Sequence, residues 1–213
     1  MAVLVTDPDL QSQLLADRQT SGADRYDEVW DGVYMMAPLP NNEHQDIQAD
    51  FVAALKEIFG WDHAARICAG VNVSDRNEDW THNYRCPDVV VFLPGNPAID
   101  RGSHWQGGPD FLVEIVSEAD RSEEKLPFYA SVGVREVLLI DRNPWKLELY
   151  VLDNLTRSFR LAGTSTPAAD VKLESATLPV VFEIVSSHSR PRVRLSLIPS
   201  AAATTAGRAS WLL

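Results

Sequence analysis

Apolar residues recur with two different periods along this chain. Ile47, Phe51, Leu55, Ile58 and Phe59 fall at three- and four-residue steps or beside them, which places them on one face of a helix. Asn41 or Asn42 can cap that helix and Gly60 can end it. By contrast, Val89-Val90-Val91-Phe92-Leu93 and Phe111-Leu112-Val113-Glu114-Ile115-Val116 are nearly continuous apolar runs, the pattern of central strands covered on both faces. Residues 66–74 alternate apolar and polar, as a half-exposed strand does.

Turn chemistry separates these segments. Asp31-Gly32 lies between Glu28-Val29-Trp30 and Val33-Tyr34-Met35-Met36 and favours a type I′ hairpin, with Pro38 and Pro40 stopping the second strand. The Gly- and Pro-rich stretch 94–109 is expected to be a long loop. Residues 122–132 have helical composition, but Pro127 is tolerated only near a helix start, so the helix begins near Leu126 with Lys125 at its mouth. A buried strand at 134–140 follows Gly133, and a turn at 141–144 leads into a strand at 146–152. Further strands are expected at 158–161 and 179–185, and a short helix around Leu10 to Leu15.

This order implies an α/β fold, a mixed sheet with flanking helices and extra antiparallel strands. It divides into an N-terminal extension at 1–20, a single domain at 21–198 and a flexible tail at 199–213. The 213 residues, 45% hydrophobic and 23% charged, suffice for an ordinary core and exclude a disordered or fibrous chain. No run of about 18 apolar residues offers a membrane span, and the first thirteen residues lack signal-peptide character. Cys68 and Cys86 are too few for a disulfide framework or a four-thiolate zinc site. A cytoplasmic protein without a membrane partner is the expectation.

The net charge of −11 sits entirely in residues 1–100, which hold six basic and seventeen acidic side chains; residues 101–213 hold thirteen of each. A polyanion would therefore be met mainly by the second half. Arg190, Arg192 and Arg194 alternate with Pro191, Val193 and Leu195, a pattern that suits either phosphate tracking or a charged edge strand.

The chemistry-bearing placement is of carboxylates at or within the most apolar strands. Asp88 follows Pro87 and precedes Val89, while Glu114 interrupts its run. A buried carboxylate needs a partner. Glu114 could pair with an arginine or face solvent at an edge; alternatively Asp88 and Glu114 converge to hold a hard divalent cation, for which one or two carboxylates with waters and phosphate oxygens suffice. Lys125 gains weight only beside them, where an ammonium can orient water or offset charge on a phosphate. Asp110 follows Pro109 as a second Pro-Asp pair, either an outer ligand or a turn residue. His63, His82, His104 and His188 show no ligand spacing and read as surface or loop residues, and both cysteines as small core residues.

Arg85-Cys86-Pro87-Asp88-Val89-Val90-Val91, Val113-Glu114-Ile115-Val116-Ser117, Lys125-x-x-x-Tyr129, Gly133-Val134-Arg135-Glu136 and Leu139-Ile140-Asp141, with the Asp31-Gly32 hairpin and Glu43-His44, together resemble the Uma-type restriction endonuclease family of the PD-(D/E)xK nuclease superfamily. The resemblance runs from about Tyr26 to Leu152. It implies a restriction-endonuclease-like fold and hydrolysis of phosphodiesters, of DNA by expectation, with Mg²⁺ or in its place Mn²⁺. Asp88, Glu114 and Lys125 become the catalytic set, the two carboxylates being metal ligands. The superfamily's usual lysine position holds Val116 here, and the resembling family moves the lysine to the following helix, at Lys125. Glu43 becomes a candidate accessory metal ligand, against a helix-start acid favoured by the macrodipole; His44 reads as a structural residue. A homodimer would let one active site per chain cut both strands of a duplex. Two other classes fit the same residues: a non-catalytic interaction or regulatory domain retaining the nuclease fold, and a metal-dependent hydrolase of small phosphoesters.

Overall fold

In the computed structural model, which describes residues 7–61, 65–117, 121–198 and 209–213, the two apolar runs lie side by side as antiparallel strands. The chain passes through α1 (Pro8–Ser21), β1 (Glu28–Trp30), β2 (Val33–Met35), α2 (Asn42–Phe59), β3 (Arg66–Ala69) and β4 (Val73–Ser74). It continues through β5 (Tyr84–Arg85), β6 (Val89–Phe92), β7 (Ile99–Asp100), β8 (Trp105–Gln106), β9 (Phe111–Ile115) and α3 (Leu126–Ser131). The rest is β10 (Glu136–Arg142), β11 (Trp145–Asp153), β12 (Ser158–Ser165), β13 (Leu173–Glu174), β14 (Val180–Val185), β15 (Arg192–Leu197) and β16 (Ser210–Leu212).

The central sheet has the order β12-β11-β10-β9-β6-β3. Its β9–β10 pair is parallel, joined by a crossover that carries α3, and its other neighbours are antiparallel. Alternation along the strands divides the core. Val89, Val91, Phe111, Val113 and Ile115 face Ile47, Phe51 and Leu55 of α2 together with Phe182 and Leu195 of a four-stranded sheet, β13-β14-β15-β16. Val90, Phe92, Leu112 and Leu139 face the other way, onto Phe128 and Tyr129 of α3 and Val73. Burial of all five residues of β9 follows from this double cover.

The Asp31-Gly32 hairpin forms as its sequence predicts, with φ of 48° and 84° at the two turn residues. It belongs to a second sheet, β2-β1-β5-β4-β8-β7. Two short strands of that sheet, β7 and β8, lie within the stretch expected to be loop; two-residue strands leave no periodicity to read. The strand expected over 66–74 breaks at Gly70, where φ is 58°, so that β3 joins the central sheet and β4 the second one. At the C-terminus, where a flexible tail is expected, Ser210–Leu212 pairs with β15 and buries Trp211; residues 199–208 lie outside the described set. β15 consequently has a neighbour on each side and is no edge strand. Arg194 meets Glu183 at 3.1 Å and Arg192 donates to the Leu213 carbonyl at 2.7 Å.

α1 starts at an Asp7 cap and Pro8, and Gly22 ends it in the left-handed conformation. Arg18 fastens it: Nε donates to Asp27 Oδ2 at 2.6 Å, and Nη2 reaches the Ala23 and Ala37 carbonyls at 2.7 and 2.8 Å. Asp27, 2% exposed, also accepts from Tyr34 Oη at 2.6 Å and Ala37 N at 2.7 Å, tying helix, hairpin and following segment together. Removing one partner of a buried, hydrogen-bonded ion pair typically costs about 3–5 kcal/mol. Asp27→Ala is expected to lower unfolding free energy by about that amount in urea titrations, and an effect below ~1 kcal/mol would show that the α1–hairpin tie contributes little.

Candidate active site

The pairing Val89↔Val113 sets the position of the two candidate carboxylates. Continuing that antiparallel register by one residue brings Asp88 opposite Glu114, on the face of Val90 and Leu112. Asp88 Oδ2 accepts from Ile115 N at 2.7 Å, and the Asp88 carbonyl accepts from Gln48 Nε2 at 2.7 Å and Gly70 N at 3.1 Å. Its other oxygen, Oδ1, lies 3.2 Å from His44 Nε2.

Glu114 is 3% exposed in the middle of the central sheet. Lys125 compensates it: its Nζ lies 3.2 Å from both Oε1 and Oε2, and 2.9 Å from Oε1 of Glu28. Lys125 ends a 3-10 turn over Ser122–Lys125, immediately before α3, whose Pro127 sits in the first turn where no intrahelical N–H is lost. One turn further on, Tyr129 donates its hydroxyl to Glu114 Oε1. Burial, reinforced by the charges of Glu114 and Glu28, pushes the Tyr129 phenol well above its ordinary value, so it remains a donor throughout the neutral range. Glu28 is itself held by Cys86 N at 2.8 Å and Trp30 Nε1 at 2.6 Å.

These groups line one cleft of about 430 Å³, with Glu28, His44, Asp88, Glu114 and Lys125 in its polar wall. Trp30, Met35, Met36, Pro38 and Pro40 supply apolar lining. Three carboxylates share the cleft with Lys125, which touches two of them, and with Arg18 and Arg121, each matched by a carboxylate outside the lining, Asp27 and Glu124. Hard oxygen donors in excess of the one ammonium they share fit a divalent cation. No group of three or more His, Cys, Asp and Glu side chains among the described residues converges on a single point. Asp88 and Glu114 are the pair that could hold a divalent cation together with waters and substrate oxygens.

Glu43 and His44 part company. Glu43 turns to Arg142 and Arg190, at 3.3 Å from each, and does not line the cleft; His44 does, against Asp88. Adjacent helical residues point about 100° apart, so only one could face inward. Asp110, the second Pro-Asp carboxylate, stands at the far end of β9. It accepts from Leu93 N and Asn96 Nδ2, both at 2.8 Å, and meets Arg135 Nε at 3.2 Å, which makes it the pin of the loop that follows β6. His104 is buried, stacked on Trp80 and bonded to the Arg76 carbonyl, contrary to its expected surface position. His82 and His188 are exposed and His63 lies outside the described residues. Cys86 is buried as expected of a core residue, and Cys68 is half-buried.

Glu28 is the contributor that sequence reasoning missed. Its only signal is spacing, since Glu28 and Trp30 lie two apart on one strand and so share a face. Lys125 and Tyr129, four apart, carry the matching helical signal.

The sequence profile of the Uma2 family, described as "Putative restriction endonuclease", matches residues 14–189. The chain belongs to the Uma2 family. No curated protein matches it. Among solved structures, this Uma2 protein is similar to a putative nuclease of DUF820 from Anabaena variabilis ATCC 29413, at 19% identity and a TM-score of 0.53, over 71% of this chain and 83% of that one. That likeness shows the nuclease-like mixed α/β fold, and membership of the Uma2 family supports a nuclease. No helix among the described residues is long and apolar enough to cross a membrane.

One buried tyrosine, Tyr129, and three half-buried ones set an alkaline limit. Burial, the first cause in each case, raises Tyr129, Tyr34 and Tyr150, and brings Tyr84 up to about 12. A phenol raised in the folded state contributes stability that is complete below its unfolded value near 10 and is lost as pH rises from there toward the folded value. Urea midpoints are expected to fall between pH 9.5 and 11. Tyr129→Phe should lose about 1–3 kcal/mol at pH 7, because Glu114 forfeits a buried donor, and should show a shallower alkaline decline. A flat midpoint across that pH interval would contradict the assignment.

Proposed function

We propose that this protein is a metal-dependent endonuclease that hydrolyses phosphodiester bonds of DNA. The observation that carries the reading is the convergence of Asp88 and Glu114 on one sheet face, with Lys125 Nζ 3.2 Å from both oxygens of Glu114. Asp88 and Glu114 would hold Mg²⁺, or Mn²⁺ in its place, through hard carboxylate oxygens. When bound, such a cation supplies Lewis-acid activation of water and neutralises charge on the phosphate.

The chain's own residues do the rest. Ile115 N fixes Asp88 Oδ2, leaving Oδ1 toward His44 and the cleft. Tyr129 and Lys125 orient the Glu114 carboxylate, and the ammonium offsets negative charge that grows on the phosphate during in-line attack. The apolar wall of Trp30, Met35 and Met36 keeps bulk water from one side of the reacting bond. Glu43, the candidate accessory ligand, is engaged by Arg142 and Arg190. The enzyme works in the cytoplasm, where the free thiols of Cys68 and Cys86 are stable, and cuts duplexes as a symmetric dimer.

A second reading, a metal-dependent hydrolase of small phosphoesters, draws support from the cleft volume of about 430 Å³ and the charge of −11. Substrate choice separates the two. Plasmid nicking with Mg²⁺ or Mn²⁺ is expected for wild type. Asp88→Asn and Glu114→Gln should each lower the rate by a factor on the order of 10² or more while circular dichroism stays unchanged. Nicking at wild-type rate by either variant would sink the assignment, and cleavage of bis(p-nitrophenyl) phosphate without any DNA cleavage would favour the second reading. Sedimentation showing only monomer in the presence of duplex would remove the dimer.

A further inference from the structure

The rim of the cleft carries a cationic cluster for which the proposed chemistry has no use. Arg142, the last residue of β10, and Arg190, just ahead of β15, converge on the single carboxylate of Glu43 at 3.3 Å each. Arg142 also donates to Asn41 Oδ1 at 3.0 Å and to the Val116 carbonyl at 3.3 Å, and its buried Nε has no partner among the described residues. Chain neighbours tie this cluster to the cleft, because Pro40 and His44 bracket Asn41 and Glu43, while Ile115 and Ser117 bracket Val116, and all four bracketing residues line the cavity.

Charge gives the cluster its meaning. Arg18 is matched by Asp27 and Arg121 by Glu124, and Lys125 meets two carboxylates. At Glu43 the balance reverses, two guanidinium groups sharing one carboxylate. In a chain of net charge −11 this is a local positive surplus beside the reactive cleft. A carboxylate bridging two guanidinium forks also occupies the place that a phosphodiester's two non-bridging oxygens would take, since both present paired acceptors to the same donors. The Glu43 side chain is 37% exposed, while Arg190 rests 5.4 Å over the Trp145 ring, which limits the freedom it must lose on binding.

We propose that Arg142 and Arg190 bind a backbone phosphate of the nucleic-acid strand next to the scissile bond, with Glu43 occupying that site until the strand displaces it. The proposal rests on the nuclease reading and adds to it a way for an acidic protein to align a polyanion.

Binding of a fluorescent 20-nucleotide oligonucleotide, single-stranded and duplex, is measured without added metal against KCl concentration. Each phosphate contact contributes about 0.7–0.9 to the slope of log K on log salt. Arg190→Ala should lower the slope by about that amount, Arg190→Lys should restore it, and Glu43→Gln should bind several-fold more tightly than wild type. Wild-type slope in Arg190→Ala together with wild-type affinity in Glu43→Gln would overturn the proposal while leaving the nuclease reading intact. Wild-type protein that binds neither oligonucleotide would overturn it along with that reading.

Discussion

Glu114 is the constraint around which the rest of the site is arranged. Its strand is buried along its whole length, and an uncompensated carboxylate there would cost several kcal/mol. Lys125 and Tyr129 must therefore lie over that face of the sheet, which requires the crossover from β9 to β10 to deliver a 3-10 turn and α3 at that position. Lys125 in turn engages Glu28, and Glu28 is hooked to Cys86 N and Trp30. One buried charge thus draws together the crossover, the hairpin sheet and the segment leading into β6. The cleft is the space left among them.

The same constraint explains why the candidate site lies at this end of the strand and not at the other. Asp110 repeats the Pro-Asp sequence of Asp88, yet both its oxygens are spent, on Leu93 N, Asn96 and Arg135. A carboxylate so engaged is structural. Asp88 spends one oxygen on Ile115 N and turns the other toward His44 and the cleft, beside Glu114 and Glu28. Carboxylates crowded against one lysine repel one another, and a cation that joined them would relieve that repulsion.

The hydrophobic pattern and a few turn residues were enough to make most of the fold legible. Helical spacing marked α2, the two apolar runs marked β6 and β9, and Asp31-Gly32 marked the hairpin, because burial and positive φ act residue by residue. Pro127 located the start of α3 and left Lys125 at its mouth, since proline's missing N–H is tolerated only there. Legibility ended where elements are too short or pairings too remote. Two-residue strands β7 and β8 carry no period, and β16 binds β15 across a stretch of chain that shows no pattern of its own.

For the site, the sequence by itself determined that Glu114 lies within, and Asp88 just ahead of, strands that must be covered on both faces, and hence that Glu114 needs a partner. Which partner, and what else gathers there, only the tertiary structure decided. Glu28 is 86 residues from Glu114 in the chain and reaches it through Lys125. His44 and Glu43, neighbours on one helix, take opposite roles because α2 has a single rotation about its axis, fixed by how Ile47, Phe51 and Leu55 pack. Rotation of a helix over a sheet is set by packing with residues far away in the chain, and no local pattern encodes it.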